Sequence, residues 1–230
     1  MERFFSPCPR GLEEALAAEL ARLGAQAVAP VDGGVGFEGP PDLAYVVNLE
    51  SRLASRVLWK VGGGPYRDER ELNALARGIA WPTHFRADRT IRVDVAATRS
   101  PLRSLEFATL TVKDAVCDRF RDEQGKRPSV DKRMPDVRVH AYLTDREATF
   151  YLDTSGEPLF KRGWRRDTEE APLRENLAAG LLALAGWRAD RPLLDPMCGS
   201  GTIAIEAALL AANRAPGLAR TFGFQKLAWY

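Results

Sequence analysis

Apolar and polar positions in the first 60 residues follow the periods of short strands and one-sided helices. Four leucines between Leu12 and Leu23 lie on one face of a helix, and Gly24 ends it. Asp32-Gly33-Gly34 separates two short apolar runs and has the composition of a hairpin turn. The predicted order is β-α-β-β-α-β, a ferredoxin-like unit. The strands are placed at 4–5, 27–31, 35–37 and 56–61, and the helices at 12–23 and 41–49.

A second series of elements begins near Glu69 and runs to about residue 152. Apolar positions at helical spacing predict two helices, and alternation predicts three strands. In the last two strands one face should be buried and the other should meet water. The helices carry Leu72 and Leu75, then Val112, Val116 and Phe120, and the strands cover 91–95, 137–143 and 148–152, with a turn at Asp145-Arg146.

The composition changes at Ser155-Gly156-Glu157-Pro158, where a linker is predicted. Pro172 then opens a helix with four leucines on one face, Leu173, Leu177, Leu181 and Leu184, and Gly186 ends it. A short strand, Leu193-Leu194, leads into a glycine-containing loop at Asp195 to Thr202. The next helix should run from Ile203 to about Ala212.

Composition describes an ordinary folded protein of 230 residues, with 45% hydrophobic and 28% charged residues. The charge is uneven, because residues 1–50 carry three basic and eight acidic groups and residues 51–230 carry 30 and 23. The basic part could meet a polyanion, although a solvated surface is the better explanation of charge alone.

Other features exclude several classes of protein. Cys8, Cys117 and Cys198 lack the spacing of zinc sites or of a disulfide framework, so free thiols and no metal are predicted. His84 and His140 are isolated and are interpreted as structural or surface residues. Apolar runs are too short for a membrane span and no signal pattern opens the chain, so no membrane association and a cytoplasmic location are expected.

The loop from Asp195 to Thr202 has the context of a nucleotide-type site, between a strand and a helix. Gly199 and Gly201 allow the backbone to approach a ligand closely. A P-loop would need a lysine that is absent, whereas Ala204 keeps a dinucleotide fingerprint possible. Asp195 favours a ligand with a cationic amine, such as the methionine half of S-adenosylmethionine. A tight structural turn would explain the glycines alone.

Two basic segments are candidates for RNA contact. The first surrounds an aromatic ring and suits phosphate contact plus base stacking, although a solvated linker with an anchoring tryptophan has the same composition. The second lies in the middle of the chain, where a solvated face is an equal alternative. The candidates are Lys161, Arg162, Trp164, Arg165 and Arg166 in the first segment and Lys113, Lys126, Arg127, Lys132 and Arg133 in the second.

The chain resembles the THUMP-containing RNA methyltransferases, most closely the bacterial 23S rRNA guanine methyltransferases that modify the exocyclic amine. Older descriptions call such chains adenine-specific DNA methylases. The loop Asp195 to Thr202, with Ile205-Glu206-Ala207-Ala208 after it, is similar to the first methyltransferase motif of that family. Further similar strings follow in the family's order: Lys113 to Val116, Gly125 to Asp131, Asp153 to Glu157, Lys161 to Arg165 and Ala171 to Leu177.

The resemblance implies an α+β N-terminal region followed by the start of an α/β Rossmann-like methyltransferase domain. We expect a ferredoxin-like domain at 1–62, a THUMP RNA-binding domain at 63–155, a basic linker at 156–170 and an incomplete methyltransferase domain at 171–230. S-adenosylmethionine would be the cofactor and structured RNA, 23S rRNA above all, the partner. The implied donor-binding residues are Ala171, Pro172, Leu173, Glu175, Asp195, Pro196, Cys198, Gly199, Gly201 and Thr202.

The sequence departs from the family in two respects. The Asn/Asp-Pro-Pro-aromatic tetrapeptide that holds the target amine is absent, and no acidic residue follows a second Rossmann strand. The chain is therefore interpreted as a piece of a longer protein, inactive alone, with its catalytic residues expected beyond Tyr230. The alternatives are a non-catalytic RNA-binding module, or a methyltransferase acting on tRNA guanine or on adenine in DNA. Glu206 is expected on a helix surface or capping a neighbouring group.

Overall fold

The computed structural model describes residues 1–165 and 173–230. The described chain divides into two compact units, and each is built from two separate stretches of sequence. Unit 1 comprises Met1–Val57 and Glu157–Phe222, and unit 2 comprises Leu58–Gly156 and Gly223–Tyr230. The domain boundaries predicted above remain predictions, because compactness alone does not define a domain family.

Unit 1 contains a three-stranded antiparallel sheet, in which β3 (Gly34–Gly39) lies between β2 (Gln26–Val31) and β1 (Glu2–Pro7). Phe4 of β1 lies opposite Phe37 of β3, and their rings stack with centroids 5.3 Å apart. The predicted hairpin at Asp32-Gly33-Gly34 is confirmed, with Gly33 at a φ of 83°. The elements of this unit are β1 (Glu2–Pro7), α1 (Glu13–Arg22), β2 (Gln26–Val31), β3 (Gly34–Gly39), α2 (Leu43–Glu50), α6 (Glu175–Leu184) and α7 (Thr202–Ala211).

Helix α6 belongs to the same core as the N-terminal elements. Leu16 and Leu20 of α1 are fully buried, as the leucine stripe predicts. Gly180 of α6 faces Leu12, and an added Cβ there would overlap the leucine side chain. Helices α6 and α7 also pack on each other. The second stretch of unit 1 is therefore fixed against the first by close packing.

The predicted strand Leu193-Leu194 does not form. The structure gives both residues no regular secondary structure, and Leu194 is 88% exposed. A strand needs a neighbour to satisfy its N–H and C=O groups, and the described residues place none beside this pair. The sequence pattern located an apolar pair at Leu193-Leu194 but predicted its conformation wrongly.

Unit 2 contains a four-stranded sheet. Its strands lie in the order β4 (Leu58–Pro65), β7 (Glu147–Asp153), β6 (Val137–Leu143) and β5 (Ile91–Ala97). The predicted hairpin is confirmed as β6 and β7, which pair antiparallel, whereas β5 pairs with β6 in parallel. Helices α3 and α5 begin at serine or aspartate caps, and α5 ends at left-handed Gly125. The elements are β4 (Leu58–Pro65), α3 (Glu69–Gly78), α4 (Trp81–His84), β5 (Ile91–Ala97), α5 (Leu105–Gln124), β6 (Val137–Leu143), β7 (Glu147–Asp153) and a 3-10 turn (Gly223–Lys226).

The last eight residues complete unit 2. The amide of Phe224 donates to the carbonyl of Thr154 at 2.9 Å, and that of Ala228 donates to His84 at 2.7 Å. The Trp229 ring packs edge-on against Trp59, with centroids 4.9 Å apart. This arrangement was not predicted, because nothing in the local sequence pairs residues that lie 70 to 170 positions apart.

The three cysteines are free, as predicted. Burial and nearby Glu13 raise the pKa of the Cys8 thiol to about 11. None of the described helices is long and apolar enough to cross a bilayer.

Candidate functional site

The loop from Asp195 to Thr202 owes its shape to two left-handed glycines. Gly199 has a φ of 50° and Gly201 a φ of 73°, and L side chains rarely adopt such values. The Gly201 amide donates to the Cys198 carbonyl at 2.8 Å, which closes a tight turn just before α7. The first helical bond runs from the Ile205 amide to the Gly201 carbonyl, so the amides before Ile205 point out of the helix end.

Asp195 forms a local turn at the start of this loop. Its Oδ1 accepts a hydrogen bond from the Met197 amide at 3.1 Å, and its side chain is partly exposed. A carboxylate has lone pairs beyond the one that Met197 uses, so Asp195 can still accept from a ligand amine. The predicted donor residues Pro196, Cys198 and Gly199 are all exposed beside it.

Arg165 connects the predicted donor residues to one another. Its Nε donates to Glu175 Oε1 at 3.0 Å, and its Nη2 donates to Thr202 Oγ1 at 2.9 Å. The carbonyl of Leu173 lies 3.4 Å from the same Nη2. The structure thus brings Leu173, Glu175 and Thr202 together through Arg165, a residue that the sequence suggested for RNA, while their role in donor binding stays a prediction.

Ser200 is a further member of this group that the sequence did not single out. Arg165 Nη1 donates to its Oγ at 3.2 Å, and the hydroxyl groups of Ser200 and Thr202 lie 3.2 Å apart. The side chain of Arg165 is 14% exposed and that of Glu175 is 6% exposed. A serine inside a glycine loop is the only sequence signal for this contact, and many turns contain one.

Arg162 and Glu206 form a buried ion pair, which corrects two expectations. Glu206 is 1% exposed rather than on a helix surface, and Arg162 Nε lies 3.3 Å from its Oε1. The other guanidinium nitrogens of Arg162 donate to the carbonyls of Leu159 and Arg52, at 2.9 and 2.7 Å. Arg162 is 2% exposed, so its burial leaves no surface for an RNA phosphate.

A second buried carboxylate, Glu19, lies in the same core. It accepts from Ser51 Oγ at 2.6 Å and from the amides of Arg52 and Leu53, at 2.9 and 3.3 Å. Burial raises the pKa of Glu19, against the opposing effect of those hydrogen bonds. Its position on the leucine face of α1, three residues after Leu16, was a sequence signal of this burial.

The remaining residues of the first basic segment have different surroundings. Lys161 is exposed and pairs with Glu157 at 2.7 Å, whereas Trp164 is half-buried beneath the Arg165 guanidinium, 5.2 Å from its ring centroid. Three predicted site residues lie outside the described residues, namely Arg166, Ala171 and Pro172.

The second basic segment lies on unit 2. Lys113 and Arg127 both approach Asp114 Oδ1, at 2.7 and 3.6 Å, and Arg127 is also 3.7 Å from Asp118. Lys126 and Lys132 are exposed. This geometry brings Lys113 and Arg127 to one place, and acidic neighbours reduce the positive potential there.

Within residues 1–165 and 173–230, no group of three His, Cys, Asp or Glu side chains is arranged to hold a metal ion. The Asn/Asp-Pro-Pro-aromatic tetrapeptide does not occur in the sequence.

Three family profiles match consecutive parts of the chain. They are the RlmL ferredoxin-like domain at residues 3–58, the THUMP domain at 66–153 and the RMKL-like methyltransferase domain at 162–229.

Curated relatives match nearly the whole chain. The ribosomal RNA large subunit methyltransferase K/L of Psychromonas ingrahamii is 46% identical over 98% of this chain. The protein of the same name from Aeromonas hydrophila is 44% identical over 98%. The chain spans 30% and 32% of the length of these two relatives.

Solved structures share the fold. A Listeria monocytogenes protein, described as a predicted N6-adenine-specific DNA methylase, has a TM-score of 0.89 at 32% identity, over 99% of this chain and 60% of that one. SMU.472, solved in complex with SAH, has a TM-score of 0.89 at 30% identity, over 100% of this chain and 60% of that one. The chain therefore joins a ferredoxin-like domain, a THUMP domain and a segment of an RMKL-like methyltransferase domain.

Proposed function

We propose that the protein carrying this sequence transfers a methyl group from S-adenosylmethionine to the exocyclic amine of a guanine in 23S rRNA. The observation that carries the proposal is the loop from Asp195 to Thr202, with two left-handed glycines ahead of α7. The relatives' names and the SAH in SMU.472 support the same chemistry. Because the chain spans under a third of the curated relatives, activity is assigned to the protein at the relatives' length.

The residues present fit the methyl donor. Asp195 supplies a partly exposed carboxylate for the donor's amine, and the amides at the start of α7 suit its carboxylate. Any other residue at Gly199 or Gly201 would need a strained backbone, so the loop carries no side chain at these two positions, where a ligand must approach. When bound, the donor supplies an electrophilic methyl group.

The protein's contribution is orientation. A base inside a helix cannot present its amine to the donor, so the target nucleotide must leave its stack. Holding the amine and the methyl group in line can remove about 7–11 kcal/mol of the barrier to such a reaction. Unit 2, with exposed Lys126 and Lys132, is proposed to hold the surrounding RNA, and an rRNA substrate would place the enzyme in the cytoplasm.

Donor binding tests the assignment of the loop. In the protein at its full encoded length, Asp195→Ala should weaken S-adenosylmethionine binding about tenfold or more, because a charge-assisted hydrogen bond is lost. Isothermal titration calorimetry measures this. Asp190→Ala is the matched control, since Asp190 is exposed and, among residues 1–165 and 173–230, pairs with exposed Arg188 across 3.5 Å. Equal affinity in wild type and Asp195→Ala would show that the loop is misassigned.

The substrate is tested separately. Methyl transfer to purified 23S rRNA, tRNA and DNA should label the rRNA alone, and mass mapping should place the methyl group on a guanine. Labelling of DNA adenine would favour the alternative suggested by the description of the Listeria protein. RNA binding without any labelling would favour a non-catalytic RNA-binding module.

A further inference from the structure

Arg165 is bonded to three side-chain acceptors from two separate stretches of chain. Glu175 begins α6, Ser200 lies in the glycine loop, and Thr202 begins α7. The three N···O distances are between 2.9 and 3.2 Å. A planar guanidinium carries its donors on three separate nitrogens, and here each nitrogen donates to a different acceptor.

The surroundings require a cation at this point. The Glu175 carboxylate is 6% exposed, and a carboxylate removed from water is costly without a paired donor. Arg165 satisfies that need through Nε, which leaves Nη1 and Nη2 for the loop hydroxyl groups. One side chain therefore links a buried carboxylate to the loop that precedes α7.

We propose that Arg165 is a positioning residue that holds the donor loop in its binding shape, and that it does not contact RNA. The inference rests on the proposed function, since it assumes that the loop binds S-adenosylmethionine. Glycine backbones lose more entropy on ordering than others, and this loop has two in left-handed conformations. Tethering Ser200 and Thr202 removes part of that entropy before the donor arrives, which strengthens binding by preorganisation.

The geometry of Arg165 does not favour contact with RNA. All three nitrogens of the Arg165 guanidinium already donate to protein acceptors, and its side chain is 14% exposed. Because four protein acceptors already use most of its N–H groups, the guanidinium offers little surface to an RNA phosphate.

The test separates the charge of Arg165 from its hydrogen-bonding geometry, in the protein at its full encoded length. Arg165→Lys keeps a cation for Glu175 but cannot also reach both loop hydroxyl groups. We expect about tenfold weaker S-adenosylmethionine binding by calorimetry and a matching rise in the donor KM, with RNA affinity and its salt dependence unchanged. Ser200→Ala, which leaves the ion pair with Glu175 intact, should weaken donor binding severalfold in the same direction.

Arg162→Lys is the matched control from the same segment. It alters a buried arginine that touches none of the loop residues Asp195 to Thr202 in the described contacts, so it should lower the melting temperature and leave donor affinity unchanged. Wild-type donor affinity in both Arg165→Lys and Ser200→Ala would overturn the inference. So would a loss of RNA binding with unchanged donor binding in Arg165→Lys. Failure of the wild type to bind donor would instead reject the proposed function.

Discussion

Buried charges decide which arginines of the linker are available to a ligand. Arg162 and Arg165 are three positions apart, yet one pairs with Glu206 inside the core and the other with Glu175 beside the glycine loop. The two carboxylates, Glu206 and Glu175, lie in later segments of the chain, so the basic segment alone does not show that its arginines are paired. Charge at the sequence level therefore overstates the basic surface that unit 1 offers to RNA.

Removing Arg162 tests the buried pair. Arg162→Ala should lower the free energy of unfolding by about 3–5 kcal/mol, because Glu206 stays buried without its cation. Urea unfolding measures the change. The double variant Arg162→Met with Glu206→Leu should recover most of the loss, since an apolar pair needs no charge compensation.

Arg188→Ala is the control for the same experiment. Arg188 is exposed and lies 3.5 Å from exposed Asp190, so its loss should cost no more than about 1 kcal/mol. A loss below about 1 kcal/mol in Arg162→Ala would mean that water reaches the pair.

Helix packing in unit 1 depends on a small residue at one crossing. Gly180 of α6 lies against Leu12, which itself is 2% exposed. The predicted leucine stripe of α6 is not its buried face, because Leu181 and Leu184 are 43% and 63% exposed whereas Leu182 is buried. The contact with Leu12 was not predicted either, because nearly 170 residues separate the two positions.

Gly180→Ala should destabilise the protein by about 1–3 kcal/mol through overpacking against Leu12. Gly78→Ala is the control, since an added Cβ at the end of α3 meets open space and needs no unusual backbone. That substitution should be neutral or stabilising by up to about 1 kcal/mol. Thermal unfolding of both variants gives the comparison, and equal melting temperatures would contradict the close packing of α6.

The sequence predicted the elements that depend on neighbouring residues along the chain. It did not predict those that depend on contacts with distant residues. The hairpins at Gly33 and at Asp145-Arg146 follow from turn composition and alternation, and both occur. Leu193-Leu194 was wrong as a strand because its conformation depends on a neighbour rather than on its own pattern. The glycine loop was located from sequence, whereas the bonds of Arg165 to Ser200 and Thr202 required the folded chain.

At the scale of the whole molecule, the two units divide the proposed work. Unit 1 holds the glycine loop, and unit 2 holds the second basic segment. Replacing Lys126, Arg127 and Lys132 by Ala should weaken RNA binding and reduce the slope of log affinity against log salt by about 2, because each lost phosphate contact reduces it by about 0.7–0.9.

Fluorescence titration of labelled rRNA at several salt concentrations measures that slope. The matched control replaces Arg3, Arg10 and Arg22, three cations of the acidic first 50 residues, and should leave the slope unchanged. Equal slopes in the two triple variants would mean that RNA is bound elsewhere.

The interleaved course of the chain has a consequence for synthesis on the ribosome. Residues 1–57 emerge first, but their core includes α6 and α7, which follow residues 58–156. At about 5–20 residues per second, those 99 intervening residues take on the order of 5–20 s. The part of α1 that packs on α6 must remain uncovered for at least that time. A nascent chain halted before Glu175 should therefore bind chaperones more strongly than one released after Phe222.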